Sequence, residues 1–281
     1  KIKTTYSVVD FPALMIITYH DAKLADKALG KNQSTTKDNY PIKTSCAVFR
    51  FLRLAGIPMA FRRQLSGVAY LSRKYKTLPL RVVVRRYATE DYVKRYPAYA
   101  QKEGTPPYEF IDLKTDFFLQ KKGIDLRDVR GNIHQLTHIK EPLILNQFSQ
   151  IFALTNPELL RYDQFFNLEC SITKDKIISA PVSLGKIEKM AEDAFKALES
   201  GWKNLGLRLI DLNLEFGFDT DENLLITGTI DNTSWELRTL QWEESIPDQT
   251  EKDKPLRKIK KGGDLIAILA EKLSLVPKKS K

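Results

Sequence analysis

The most constraining stretch of this chain is LRLIDLNLEFGF at 207–218, where Leu212, Leu214 and Phe216 alternate with Asp211, Asn213 and Glu215. A period of two puts the apolar set on one face of a strand and the polar set on the other. The turn-rich DTDEN at 219–223 and a second apolar run, LLITGTI, follow at once. The pattern predicts a β-hairpin that brings Glu215 near Thr227 and Gly228, with an acid on its polar face.

Upstream of the hairpin the period changes. Leu184, Ile187, Met190, Ala191, Ala194, Phe195 and Leu198 recur at three and four residues, which predicts a helix from about Ser183 that stops near Gly201 or Gly206. Nearer the start, residues 1–9 and 14–19 read as strands around the turn Asp10-Phe11-Pro12, and TSCAVFRFLRLA at 44–55 reads as a helix stopped by Gly56. IPMAFRR, GVAYLSRK and LRVVVRRY read as three further strands. The expected organisation is an N-terminal β-rich lobe over 1–95 and an α+β lobe over 96–281. Prolines and short apolar runs blur the stretch at about 125–180.

The 281 residues suffice for one large core or two lobes, and 42% apolar with 28% charged residues is the composition of a folded chain. No apolar run approaches the roughly 20 residues of a membrane helix, and KIKTTYSVVD lacks the apolar segment of a secretory signal. Two cysteines, Cys46 and Cys170, are too few for a disulfide framework. A cytoplasmic location is expected, with no membrane partner. The net charge of +10, with KDKPLRKIKK at 252–261 as its densest run, makes nucleic acid a secondary partner class. No recognisable nucleic-acid motif accompanies it, and the interleaved RRYATEDYVKRYPAY at 85–99 reads first as packing rather than as a base-stacking platform. His134 and His138 have a spacing that would share a helix face, but no carboxylate or cysteine motif joins them, so ordinary histidines are the default.

Several segments in order resemble the SAICAR synthetase family. TLPLRVVVRRYATEDYVKR at 77–95 is similar to that family's Val-Val-Arg strand and the turn after it, and LIDLNLEFGFDTDENLLITGTIDNTSWELR at 209–238 is similar to its Glu-Phe-Gly strand, turn and Ile-Asp-Asn-x-Ser-Trp run. Weaker similarities lie at 1–7, 52–58, 108–122 and Asp253-Lys254, with extra residues at about 125–180. The resemblance implies an α+β fold of two lobes, the N-terminal one an antiparallel β lobe, with ATP between them. It implies MgATP-dependent joining of an amine, such as that of aspartate, to a carboxylate through an acyl phosphate, in purine biosynthesis.

By the same resemblance Lys1 and Lys3 match ATP-phosphate contacts, Glu215 the metal-binding glutamate that also meets ATP, and Arg85 an arginine directed at the acceptor substrate. Asp21, Asp231 and Lys254 complete the implied substrate set. This sequence departs from the family where a second metal-site aspartate is replaced by Gly228, with Asp231 a nearby candidate to compensate. The phosphate-cradling Gly-Ser is Glu90-Asp91, and a later arginine is Glu236. The Lys-Asp-Asp motif is Gln120-Lys121-Lys122, and a glutamate near the nucleotide is Arg81. Carboxylates in place of phosphate-friendly groups oppose a dianionic phosphate, so either an altered acid is the substrate or the chain is a non-catalytic relative that serves as a basic binding subunit.

Overall fold

A computed structural model describes residues 2–20, 40–102, 105–120, 125–128, 133–135, 141, 143–144, 151–155, 170–173 and 183–239. Asp21, Asp26, Lys121, Lys122, His138, Lys254, Lys1 and the basic run at 252–261 lie outside the described residues. The chain divides into two compact units, each discontinuous in sequence. One comprises Lys1–Lys76, Lys196–Leu209 and Gly217–Lys281, and the other Thr77–Phe195 and Ile210–Phe216. The linear reading instead drew a single boundary at 95.

In the first unit β1 (Ile2–Ser7), β2 (Leu14–His20), β3 (Phe61–Gln64) and β4 (Ala69–Arg73) form an antiparallel sheet ordered β1-β2-β4-β3. Helix α1 (Tyr40–Leu54) buries Ile42, Cys46, Phe49 and Leu52, residues spaced three and four apart. Phe49 meets Phe61 of β3 and Tyr70 of β4 at ring-centroid distances of 5.2 and 5.8 Å, so the helix is fixed on the sheet by aromatic packing. Gly56 terminates α1 in a left-handed conformation (φ +83°). There Ile57 N–H reaches the Leu52 carbonyl at 3.0 Å and Gly56 N–H the Arg53 carbonyl at 3.1 Å, the paired closure of a Schellman motif. Burial pushes the Cys46 thiol up to about 12 despite the nearby Arg50 charge, so it is a small core residue and not a nucleophile.

The second unit is a sheet whose strands run in the order β12 (Leu207–Asp219), β5 (Tyr75–Tyr87), β6 (Glu109–Leu119), β9 (Leu143–Ile144), β10 (Ile151–Thr155), β11 (Cys170–Thr173), β7 (Asp125–Asp128), β8 (Ile133–Gln135). Neighbours from β5 onward are antiparallel. Strands β7 to β11 lie within the 125–180 stretch that the linear pattern left unparsed. Elements of two to five residues are too short for alternation to be read. His134 sits in β8 opposite Leu126, so a shared helix face with His138 does not arise.

Helix α3 (Leu184–Lys203) buries Leu184, Ile187, Ala191, Ala194, Phe195 and Leu198 of the expected stripe, while Met190 is half-buried and Trp202 extends the buried face by a further turn. The Ser183 hydroxyl accepts the Lys186 N–H at 3.3 Å at its start, and Gly206 (φ +74°) follows its end. Gly201 lies inside the helix and does not end it. Trp202 meets Trp235 of β14 (Trp235–Thr239) edge-on at 5.3 Å within the first unit. A six-residue helix, α2 (Glu90–Arg95), follows β5 in the second unit.

Candidate functional site

Strand β12 places the predicted polar set as the alternation requires. Leu212, Leu214 and Phe216 are buried, while Asp211, Asn213 and Glu215 are half-buried on the opposite face. Two of the three are engaged. Asp211 Oδ2 lies 3.4 Å from Arg85 Nη1, and Asn213 Oδ1 accepts Arg81 Nη1 at 2.7 Å. Among the described residues the Glu215 carboxylate has neither a hydrogen bond nor an ion pair.

Beyond β12 the hairpin is closed by chemistry local to Asp219. Its Oδ1 accepts the N–H groups of Asp221 and Asn223 at 3.1 and 2.9 Å, and its Oδ2 takes Arg73 Nη1 at 2.7 Å. Glu222 takes the left-handed position of the turn (φ 59°), which lets Asp219 N–H reach the Asn223 carbonyl. Burial alone would raise the Asp219 carboxyl. The Asn223 N–H, the Arg73 guanidinium and the remaining donors outweigh it and hold the group below its ordinary range. The hairpin leads to β13 (Leu224–Thr227), which opens into Gly228 (φ +74°). The Gly228 carbonyl accepts the buried Tyr70 hydroxyl at 2.9 Å. Asp231 is buried, and its Oδ1 accepts the Thr233 N–H and hydroxyl at 2.8 and 2.6 Å. It therefore organises the 231–234 turn. Lys3 on β1 is exposed, its Nζ 3.2 Å from Tyr75 Oη.

Arg85 lies at the centre of a charged cluster in the second unit. It is on β5, and the β5–β6 register (Arg81↔Phe118, Val83↔Asp116, Arg85↔Lys114) puts Asp116 on its face of the sheet. The Arg85 side chain is 3% exposed and its guanidinium reaches Asp91 Oδ2 at 2.8 Å, Thr89 Oγ1 at 3.1 Å, and Asp116 and Asp211 at 3.4 Å each. Arg95 from α2, 2% exposed, joins the same acids. Its Nη2 lies 2.6 Å from Asp116 Oδ2 and 3.9 Å from Asp91 Oδ2, while its buried Nη1 has no hydrogen-bond partner among the described residues. The Arg95 guanidinium also stacks on Tyr92 and Tyr96 at 5.4 and 5.7 Å. Asp91 is 61% exposed, yet its carboxyl is held below the ordinary range. Partial burial raises it, and the Arg85 charge, the Thr89 hydroxyl, the Arg95 charge and the Tyr92 N–H together more than offset that.

The other positions singled out in the sequence are locally paired. Glu236 takes Arg238 Nε at 2.7 Å, Glu90 pairs with Lys94 at 2.6 Å, and Arg81 pairs with Glu141 at 2.6 Å while lying over the Phe118 ring at 4.3 Å. Gln120 Nε2 donates to the same Glu141 at 3.3 Å. The aromatic run packs on itself. Tyr92 lies 4.7 Å from Tyr96, 5.7 Å from Tyr99 and 5.2 Å from Phe110. Asp116 and Arg95 are the members of the charged cluster that linear reasoning missed. The available signal was period two in β6, where Lys114, Asp116 and Phe118 share a face.

An α+β chain with antiparallel sheets, an acid-bearing β-hairpin and a buried arginine–aspartate cluster is the class that fold and site define. The chain matches the SAICAR synthetase family over residues 1–263 and belongs to it. It is 28% identical over 279 residues to the human bifunctional phosphoribosylaminoimidazole carboxylase/phosphoribosylaminoimidazole succinocarboxamide synthetase, covering 99% of this chain and 54% of that one. It is 27% identical over 251 residues to a probable multifunctional protein of Caenorhabditis elegans, covering 88% of this chain and 50% of that one. The chain thus spans about half the length of these animal relatives. The phosphoribosylaminoimidazole-succinocarboxamide synthase of Chloroflexus aggregans is 26% identical over 84% of this chain and 77% of its own. The solved SAICAR synthetase of Pyrococcus horikoshii shares the fold, with a TM-score of 0.58, 19% identity and coverage of 99% and 100% of the two chains. Among the described residues no helix is long and apolar enough to cross a membrane.

Proposed function

We propose that this chain is an ATP-dependent carboxylate–amine ligase that joins an amino acid such as aspartate to a second substrate's carboxylate. The observation that carries the reading is Glu215: a half-buried carboxylate with no partner among the described residues, at the position matching the family's metal-binding glutamate. In the reaction a carboxylate oxygen attacks the γ-phosphorus of ATP and the bond to the bridging oxygen of ADP breaks. The amine nitrogen then attacks the acyl carbon, inorganic phosphate leaves and the amine gives up a proton. Lys3 and Lys1 offset triphosphate charge, and Arg85, Asp21, Asp231 and Lys254 belong to the substrate side of the proposal. Asp231 acts there through the turn it holds.

Magnesium fits this donor set as an ion brought in by ATP rather than held in a cage. Magnesium is commonly bound by one or two carboxylates plus substrate phosphates and water. Glu215 supplies one carboxylate, Gly228 supplies none, and no group of three or more ligating side chains exists among the described residues. When bound, the ion neutralises phosphoryl charge. Glu215 would hold that ion from the polar face of β12. The setting for such a ligase would be purine biosynthesis in the cytoplasm, with SAICAR as the product if the acceptor is the family's own.

The test is thermal stability of the purified chain with MgATP, with ATP plus EDTA, and with neither, in the wild type and Glu215→Gln. A magnesium-dependent rise that Glu215→Gln abolishes is expected, since a ligand at about 100 times its Kd stabilises by about 2.7 kcal/mol. No rise at millimolar ATP sinks the ligase. Salt-sensitive RNA or DNA binding in its place would favour the basic binding subunit.

A further inference from the structure

We propose that Asp91 is a built-in carboxylate that occupies an anion position made by Arg85 and Arg95, and that it closes this position to phosphate-bearing ligands. The proposal rests on the ligase reading for one consequence: the acid activated here would be a carboxylic acid without a phosphate ester.

Exposure and donor geometry carry the argument. Arg85 and Arg95 are 3% and 2% exposed, Asp116 and Asp211 are 13% and 15% exposed, and Asp91 is 61% exposed. Asp91 is therefore the member of the cluster that stands between two buried guanidinium groups and water. Its Oδ2 lies 2.8 Å from Arg85 Nη2 and 3.9 Å from Arg95 Nη2, and its Oδ1 accepts the Thr89 hydroxyl at 2.5 Å. A guanidinium and a hydroxyl hydrogen-bond the Asp91 oxygens, and a second guanidinium lies within ion-pair distance, a donor set of the kind that holds a carboxylate or a phosphate. The unpartnered, buried Nη1 of Arg95 leaves one donor of the set unused.

Charge decides which anion can enter. Two arginines face three aspartates, Asp91, Asp116 and Asp211, so the cluster carries a net charge of −1 with Asp91 in place. A phosphate dianion approaching it meets like charge, and it must also displace a carboxylate tethered through the same turn, whose effective concentration is on the order of millimolar or higher. Without Asp91 the count is two against two, and Arg85 Nη2 loses its 2.8 Å carboxylate partner.

The experiment titrates inorganic phosphate and ribose 5-phosphate, at matched ionic strength, into the wild type, Asp91→Ser and Asp91→Asn, by calorimetry. Asp91 is mostly exposed, so both variants should fold, and circular dichroism checks this. The expected result is at least about tenfold tighter phosphate binding by Asp91→Ser than by wild type, equivalent to about 1.4 kcal/mol, with Asp91→Asn between them. Equal binding by wild type and Asp91→Ser, or no gain in either folded variant, overturns the proposal. The MgATP stability shift, measured on the same samples, separates the two ideas. An ATP shift without the phosphate gain leaves the ligase and removes the built-in anion. The phosphate gain without an ATP shift does the reverse.

Discussion

Replacing Arg95 by methionine should be among the most damaging single changes in the second unit. The Arg95 side chain is 2% exposed, holds Asp116 at 2.6 Å and lies against the rings of Tyr92, Tyr96 and Phe118. Methionine keeps much of that apolar contact and deletes the charge. Three aspartates then share Arg85, so the net charge of the cluster goes from −1 to −2, and Asp116 is left with a guanidinium nitrogen at 3.4 Å. Two unit charges about 4 Å apart interact by about 4 kcal/mol at an effective dielectric near 20. Removing one partner of a buried pair typically costs about 3–5 kcal/mol. We expect a loss of about 3–5 kcal/mol for Arg95→Met, measured by urea unfolding followed by circular dichroism. The double variant Arg95→Met/Asp116→Leu should recover most of it, because replacing both members of a buried pair is close to neutral. An exposed pair provides the contrast: Lys189→Ala, which breaks the Lys189–Asp193 bridge of α3, should change stability by no more than about 0.5 kcal/mol. A loss below about 1 kcal/mol for Arg95→Met, or a double variant less stable than the single, would refute the electrostatic account.

Three other outcomes follow from local geometry. Gly217→Ala puts a Cβ 2.7 Å from the Lys76 carbonyl oxygen and 3.1 Å from Thr227 Cγ2, so overpacking should cost about 1–3 kcal/mol in denaturant unfolding. Tyr70→Phe removes the 2.9 Å bond to the Gly228 carbonyl and should cost about 1–3 kcal/mol, because the carbonyl loses a buried donor. Asp219→Asn should lower stability by about 1.5–3 kcal/mol at neutral pH. The folded-state carboxyl of Asp219 is depressed, so its contribution is present above the unfolded value of about 3.9 and is lost as pH falls through the folded value. The gap between the wild type and Asp219→Asn should therefore begin to narrow as pH falls below about 4 and close below the folded value, and a gap that does not narrow with falling pH would contradict the assignment.

The alternation of β12 and the three-and-four spacing of α3 were legible because each element is long enough to repeat its period several times. Local chemistry was legible too: Gly56 stops α1, and Asp219 with Glu222 and Asn223 turns the hairpin, since these interactions span only a few residues. The placement of Glu215 on a polar strand face came from the same source. The strands at 125–173 were not legible, because two to five residues carry no usable period and their pairing is settled by neighbours far away in the chain.

The charge cluster marks the boundary most clearly. Sequence alone put Arg85 on a strand and recognised that Glu90-Asp91 stood where phosphate-friendly residues were expected. That Asp91 turns back onto Arg85, that Arg95 comes in from α2, and that Asp116 and Asp211 arrive from strands on either side of β5 were decided by the tertiary structure. Sheet register depends on which strands pair, and a buried charge is tolerable only where distant partners converge on it. The sequence by itself therefore determined the periods, the turns and the family, while the tertiary structure decided which charges neutralise one another and left the half-buried Glu215 carboxylate without a partner among the described residues.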